Sequence, residues 1–160
     1  MEKEKILELI KKAESLTPKK VEMDLEPIDG FPDVPNWHKY ESDIWRIGEE
    51  IRQIIITKKT LRKDEEINDL IIKFCLNKNS KRGRQSFILL LGYKHLSKYA
   101  SQLINMINDK FVNGQIIDTV YKMQAVGFEK EIRPFLTDKH IWIRKLAIKY
   151  IEKYGTQRDV

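Results

Sequence analysis

The densest grouping of chemically useful side chains is Lys78-Asn79-Ser80-Lys81-Arg82-Gly83-Arg84, four cations in seven residues where a helix should begin. The positive end of a helix dipole disfavours cations, so an anion nearby would relieve that cost. Arginine forks and free backbone N–H groups are what a phosphate grip needs, and Lys81 with Arg82 are the candidate contacts to a partner. Three structural uses compete with that role: a solvated turn, an internal ladder made by Arg84, or docking of an acidic segment of the same chain.

Such a segment lies upstream. Residues 21–37 carry Glu22, Asp24, Glu26, Asp29 and Asp33 without one Lys or Arg, interleaved with Phe31 and Trp37. The run Val21-Glu22-Met23-Asp24-Leu25-Glu26 alternates strictly, which in an extended chain sets three apolar side chains opposite three carboxylates. On one reading Val21, Met23 and Leu25 pin the segment while its carboxylates face water or pair with the basic body. On the other, Asp24, Glu26, Asp29 and Phe31 belong to a phosphate-mimicking plug for a basic cleft of another protein.

Patterns for catalysis are missing. His38, His95 and His140 are single and far apart, without the spacing of a zinc site. The seven glycines form no phosphate-cradling loop, and no nucleophile elbow occurs. Glu49-Glu50 and Asp64-Glu65-Glu66 are adjacent helix positions pointing about 100° apart, so they make poor acid–base pairs. Cys75, the one cysteine, sits in an apolar run and reads as a small core side chain. The expectation is a protein that is no enzyme and needs no metal or cofactor.

The elements that must hold these groups read as helices. The chain has 160 residues, 41% hydrophobic and 34% charged, which fits a well-packed domain and excludes collagen-like or wholly disordered chains. Its net charge of +6 is uneven: six lysines face nine carboxylates in residues 1–37, whereas 24 Lys or Arg face 15 carboxylates in residues 38–160. An acidic extension on a basic body favours polyanions or acidic surfaces as partners, or contact between the two parts. The longest apolar runs fall far short of the roughly 18 to 20 residues of a membrane span, and the N-terminus is amphipathic, so a cytoplasmic protein without a membrane partner is expected.

Residues 3 to 16 place Ile6, Leu7, Leu9, Ile10 and Ala13 at helical spacing, and Thr17-Pro18 stops the helix. Five breakers between 18 and 37 predict an extended Pro-rich strap. Tyr40, Ile44, Ile47, Ile51, Ile54 and Ile55 then mark a helix of about 18 residues, and Asp64-Glu65-Glu66 opens another with the stripe Ile67, Leu70, Ile71, Phe74, Cys75. Further helices are expected near 81–94, 96–108, 113–125, 128–137 and 140–154, joined by short connections that make antiparallel neighbours. Residues 1–37 therefore form a helix plus strap, and 38–160 a helical domain.

The run 103–109 aligns with 132–138 at an offset of 29, apolar on apolar and Asp109 on Asp138. A period near 30 built from helix pairs suggests an α-solenoid. The stretch 132–155, Ile132-Arg133-Pro134-Phe135-Leu136-Thr137-Asp138-Lys139-His140-Ile141-Trp142-Ile143-Arg144 and onward to Gly155, resembles a HEAT-type repeat junction. In that family an Asp and an Arg six residues on form a ladder, and Asp138, Arg144 and the small Ala147 match the pattern. Residues 64–131 match it only in degenerate form: Asp109 is followed six residues on by Gln115, and Arg84 is preceded by Lys78.

The resemblance implies an all-α fold, a short right-handed solenoid of HEAT-like antiparallel helix pairs. It also implies a protein-binding module, whose concave face would present Lys98, Gln102 and Asn105 from one helix and Lys130 and Arg133 from another. Some bacterial immunity proteins that neutralise a toxin are HEAT-like and similar in plan. A second reading is nucleic-acid binding through the basic surface, for which likeness to HEAT-like DNA glycosylases would supply Trp37, Asp43 and Trp45. A third is a structural subunit that pairs with its own copies. The cationic row Lys145, Lys149 and Lys153 reads as the polar face of the last helix and adds to the basic surface.

Overall fold

The computed structural model describes residues 1–156, and the fold is all-α: among these residues the only extended pairing is an isolated bridge between Ile28 and Phe31. The chain divides into two compact units, Met1–Phe87 and Ile88–Val160, so residues 1–37 belong with the helices that follow them.

In the first unit, α1 (Glu2–Leu16) buries Ile6, Leu9, Ile10 and Ala13 on one face. It ends at Thr17, which is extended before Pro18 and whose hydroxyl donates to the Ala13 carbonyl. Helix α2 (Lys39–Thr57) buries Ile44, Ile47, Ile51 and Ile55, the stripe expected from spacing. Helix α3 (Glu65–Cys75) starts at Asp64, whose carboxylate accepts the Ile67 N–H at 3.1 Å. Lys3 of α1 reaches Asp64 at 3.0 Å and Glu66 at 3.2 Å, so the acidic start of α3 also docks α1. Ile6, Ile10, Ile44, Ile51, Ile67, Ile71 and Phe74 are buried together, and Phe74 meets Phe87 with ring centres 4.3 Å apart.

The expected helix at 81–94 does not form. A 3-10 segment, Lys78–Arg84, leads instead into the short α4 (Gln85–Leu89). The break is at Lys81, whose φ of 48° and ψ of −125° no α-helix accommodates.

In the second unit the expected helix at 96–108 is likewise a 3-10 segment, Lys94–Tyr99, followed by α5 (Ala100–Ile104). Asn105, Asn108 and Asp109 lie beyond it, residue types whose side chains compete for backbone groups and favour turns. Helix α6 (Asn113–Lys122) stops ahead of Gln124, which takes φ 56°. The expected 128–137 helix is α7 (Glu129–Ile132) tightened into a 3-10 segment, Arg133–Thr137, at Pro134, which has no N–H to donate. Helix α8 (Ile141–Tyr154) buries Ile143, Ala147 and Tyr150. The Tyr150 hydroxyl donates to the Ala125 carbonyl at 2.7 Å and accepts the Phe128 N–H at 3.3 Å, tying α8 to the turn after α6.

Arg144 does not meet the Asp138 carboxylate as the ladder expectation requires. Its guanidinium donates to the Asp138 backbone carbonyl at 2.7 Å. The carboxylate instead accepts the His140 N–H at 2.8 Å, closing a local Asx turn two residues on.

Candidate functional site

The polar centre of the first unit is Glu41. It lies one helical turn before Ile44, so the apolar face of α2 carries it inward, and it is 0% exposed. One carboxylate oxygen accepts the His38 N–H at 2.8 Å, closing the start of α2. The other accepts the Arg82 N–H at 3.0 Å, with the Arg82 guanidinium 3.7 Å away. Gly83 permits this approach: a Cβ there would stand 2.8 Å from the Ile44 Cβ and 3.0 Å from the Glu41 carbonyl oxygen.

Around this carboxylate three of the four cations of the 78–84 loop, Lys81, Arg82 and Arg84, turn inward, while Lys78 stays exposed. Lys81 is only 2% exposed, and its Nζ lies 2.8 Å from Asp24. A buried non-glycine residue at φ 48° is strained, and such a conformation persists only where its surroundings over-determine it. Arg84 is fully buried and donates to the Lys81 and Cys75 carbonyls at 3.0 and 3.3 Å, satisfying backbone acceptors that the interrupted helix leaves over. Asn79 donates to the carbonyls of Pro18 and Lys19 at 3.0 and 3.1 Å.

Lys81 and Arg82, expected as surface contacts to a partner, thus hold the chain's own acidic segment and helix start. Of the uses considered for the cluster, the geometry matches docking of the acidic segment. Glu41 was missed from sequence, although a Glu three residues after a helix-capping position was a readable signal at His38-x-x-Glu41.

The acidic segment is fastened by polar atoms and leaves its apolar side chains outside. His38 Nε2 lies 2.7 Å from the Met23 carbonyl, and Asn36 donates to the Glu26 carbonyl at 2.9 Å. The expected pinning by Val21, Met23 and Leu25 does not occur: all three are exposed, Met23 at 88%. Residues 28–34 form a folded tip, closed by the Phe31 N–H on the Ile28 carbonyl at 2.9 Å and the Val34 N–H on the Phe31 carbonyl at 3.1 Å. Ile28, Phe31 and Val34 are exposed there beside Asp29 and Asp33, and Phe31 is 60% exposed. Among the described residues Glu22, Glu26, Asp29 and Asp33 form no ion pair. The field of this segment reaches α2: burial first, then the charges of Glu41, Glu22 and Asp24, pushes the Tyr40 phenol up to about 12.

The other candidate contacts belong to the second unit. Lys98, Gln102 and Asn105 are exposed, but they lie on a 3-10 segment, on α5 and beyond its end, so no continuous helix gives them a common face. Lys98 sits over the Tyr99 ring, 5.2 Å from its centre. Lys130 is exposed, and Arg133 pairs with Glu129. Lys149 and Lys153 both lie over the Tyr121 ring, at 4.7 and 5.4 Å.

Of the set implied by likeness to DNA glycosylases, Trp37 and Trp45 are half-buried, and Asp43 is engaged by Lys39 at 2.5 Å and Arg46 at 3.5 Å. The Lys39 hydrogen bond, ahead of the other causes, holds the Asp43 carboxyl below its ordinary value. Among the described residues no three His, Cys, Asp or Glu side chains group so as to hold a metal ion, and no helix is long and apolar enough to cross a membrane. No protein-family model, curated protein or solved structure matches this chain.

Proposed function

We propose that this chain is a non-enzymatic protein-binding module, whose docking element is the acidic loop that precedes α2. The observation that carries the reading is the combination of a loop fastened to its own unit at Met23, Asp24 and Glu26 with a tip that exposes Ile28, Phe31 and Val34 among unpaired carboxylates. Fastening lowers the entropy lost on binding, and exposed aromatic and aliphatic side chains ringed by carboxylates fit a basic surface with an apolar centre.

A HEAT-like solenoid would be the scaffold, on the strength of the resemblance over 132–155. Neutralisation of a toxin by occupying its basic, phosphate-binding cleft is the specific form of the function proposed. The inward use of Lys81 and Arg82 weakens the case for nucleic acid, because the cations best suited to phosphate are spent inside the molecule.

Affinity capture from the native cell tests the proposal, with wild-type bait against an Asp29→Lys, Phe31→Ala, Asp33→Lys variant. A protein retained by wild type and lost by the variant is expected. Equal retention by both baits would refute the role of the loop. Salt-dependent binding of duplex or single-stranded nucleic acid by both would replace it with the nucleic-acid reading.

A further inference from the structure

The second unit holds a cleft of about 420 Å³ between α6 and α8, with Leu89 of α4 at one wall. Trp142 lines it and is 49% exposed, an unusual amount for an indole on a helix whose opposite face is buried. The indole is held in place by Gly114: a Cβ there would come within 2.1 Å of the ring, so only glycine lets Trp142 lie against the α6 backbone. Leu89 and Leu146 supply the remaining apolar surface, and Lys145 and Lys149 stand at the rim. Asp118 is engaged by Lys122 at 3.1 Å, while Lys145 and Lys149 form no ion pair among the described residues. The cleft is therefore apolar inside and positive at its edge.

The tip of the acidic loop has the complementary chemistry. Asp29, Phe31 and Asp33 alternate along it, one aromatic side chain between two unpaired carboxylates, with Ile28 and Val34 exposed beside them. We propose that residues 28–34 of one copy seat in the Trp142 cleft of a second copy, Phe31 against Trp142 and Leu146, with Asp29 and Asp33 facing Lys145 and Lys149. Offset or edge-to-face packing of the two rings excludes water from the charge pairs at the rim and so strengthens them.

Donor and acceptor are different surfaces, so the association is heterologous and adds copies head to tail. This inference rests on the reading of the loop as a docking element and extends it from a foreign partner to the chain itself: association hides the loop that the partner would need. Self-association and partner capture then compete.

Sedimentation equilibrium of the full chain, from micromolar to near-millimolar, reads the association directly. A mass that rises with concentration is expected, with the dissociation constant raised about tenfold or more by Phe31→Ala, by Trp142→Ala, or by Lys145→Glu with Lys149→Glu. The decisive arm mixes the Lys145→Glu, Lys149→Glu protein with an Asp29→Lys, Asp33→Lys protein, each weakened alone; in the mixture the Asp tip of the first meets the unaltered Lys cleft of the second, and the Lys tip of the second meets the Glu cleft of the first, so hetero-association recovers. Circular dichroism confirms that each variant is folded, and Gly114→Ala, which displaces the indole, repeats the cleft arm by a second route. A mass of one copy at all concentrations, unaltered association in the cleft variants, or no recovery on mixing overturns the proposal. A one-copy mass together with loop-dependent capture of a foreign protein would overturn only self-association and leave the proposed function standing.

Discussion

Replacing Glu41 by Ala should cost the first unit about 3 kcal/mol, although nothing in its residue type marks it out among 24 carboxylates. The His38 N–H loses its helix-start acceptor, worth about 1 kcal/mol. The Arg82 N–H loses a buried acceptor, which costs about 1 to 3 kcal/mol. The loop has little room to close the gap by moving inward, because Gly83 packs so near Ile44 that even an added Cβ would stand 2.8 Å from the Ile44 Cβ. Glu41→Gln keeps one acceptor oxygen but turns an NH2 group toward one of two donors, so about half the loss remains. Glu49→Ala is the control: its pair with Arg52 at 3.0 Å is partly exposed and should contribute less than about 1 kcal/mol.

The assay is urea unfolding followed by indole emission in a Trp142→Phe background, where Trp37 and Trp45 report the first unit alone. At a urea dependence of about 2 kcal/mol per molar, the Glu41→Ala midpoint falls by about 1.5 M. A shift no larger than that of Glu49→Ala would refute the assignment of Glu41 as the polar centre.

Cys75 is 0% exposed and burial pushes its thiol well above the ordinary range, so a thiol reagent should label it only through unfolding, at a rate that follows urea concentration; rapid labelling of the native protein contradicts that placement. Glu129 accepts the Thr156 N–H and hydroxyl and pairs with Arg133, which together bring its carboxyl to about 2. Because the folded value lies below the ordinary 4.5, this contribution to stability is complete above about pH 4.5 and disappears as pH falls toward about 2. Glu129→Gln should therefore flatten the acid limb of the stability curve measured on the second unit, and an unchanged limb would contradict the contact.

Elements whose cause is local are legible in the order of residues alone. Thr17-Pro18 ends α1 because proline excludes the α conformation before it, Asp64 opens α3, and the spacing of Ile44, Ile47, Ile51 and Ile55 dictates which face of α2 is buried. Ile143, Ala147 and Tyr150 point inward on α8 for the same reason. At 81–94 and 96–108 the same periodicity misled, since over one or two turns a repeat of 3.6 residues cannot be told from the 3.0 of a 3-10 segment.

What the charged residues do depends on contacts made only in the folded chain. Lys81 meets Asp24 across 57 positions and Arg82 meets Glu41 across 41. A lysine on a phosphate-binding surface and a lysine buried on its own chain's carboxylate are the same letter in the same run. What separates them is a backbone turned at φ 48° and an acidic loop folded back onto it, both imposed by contacts distant in sequence and invisible to any local pattern.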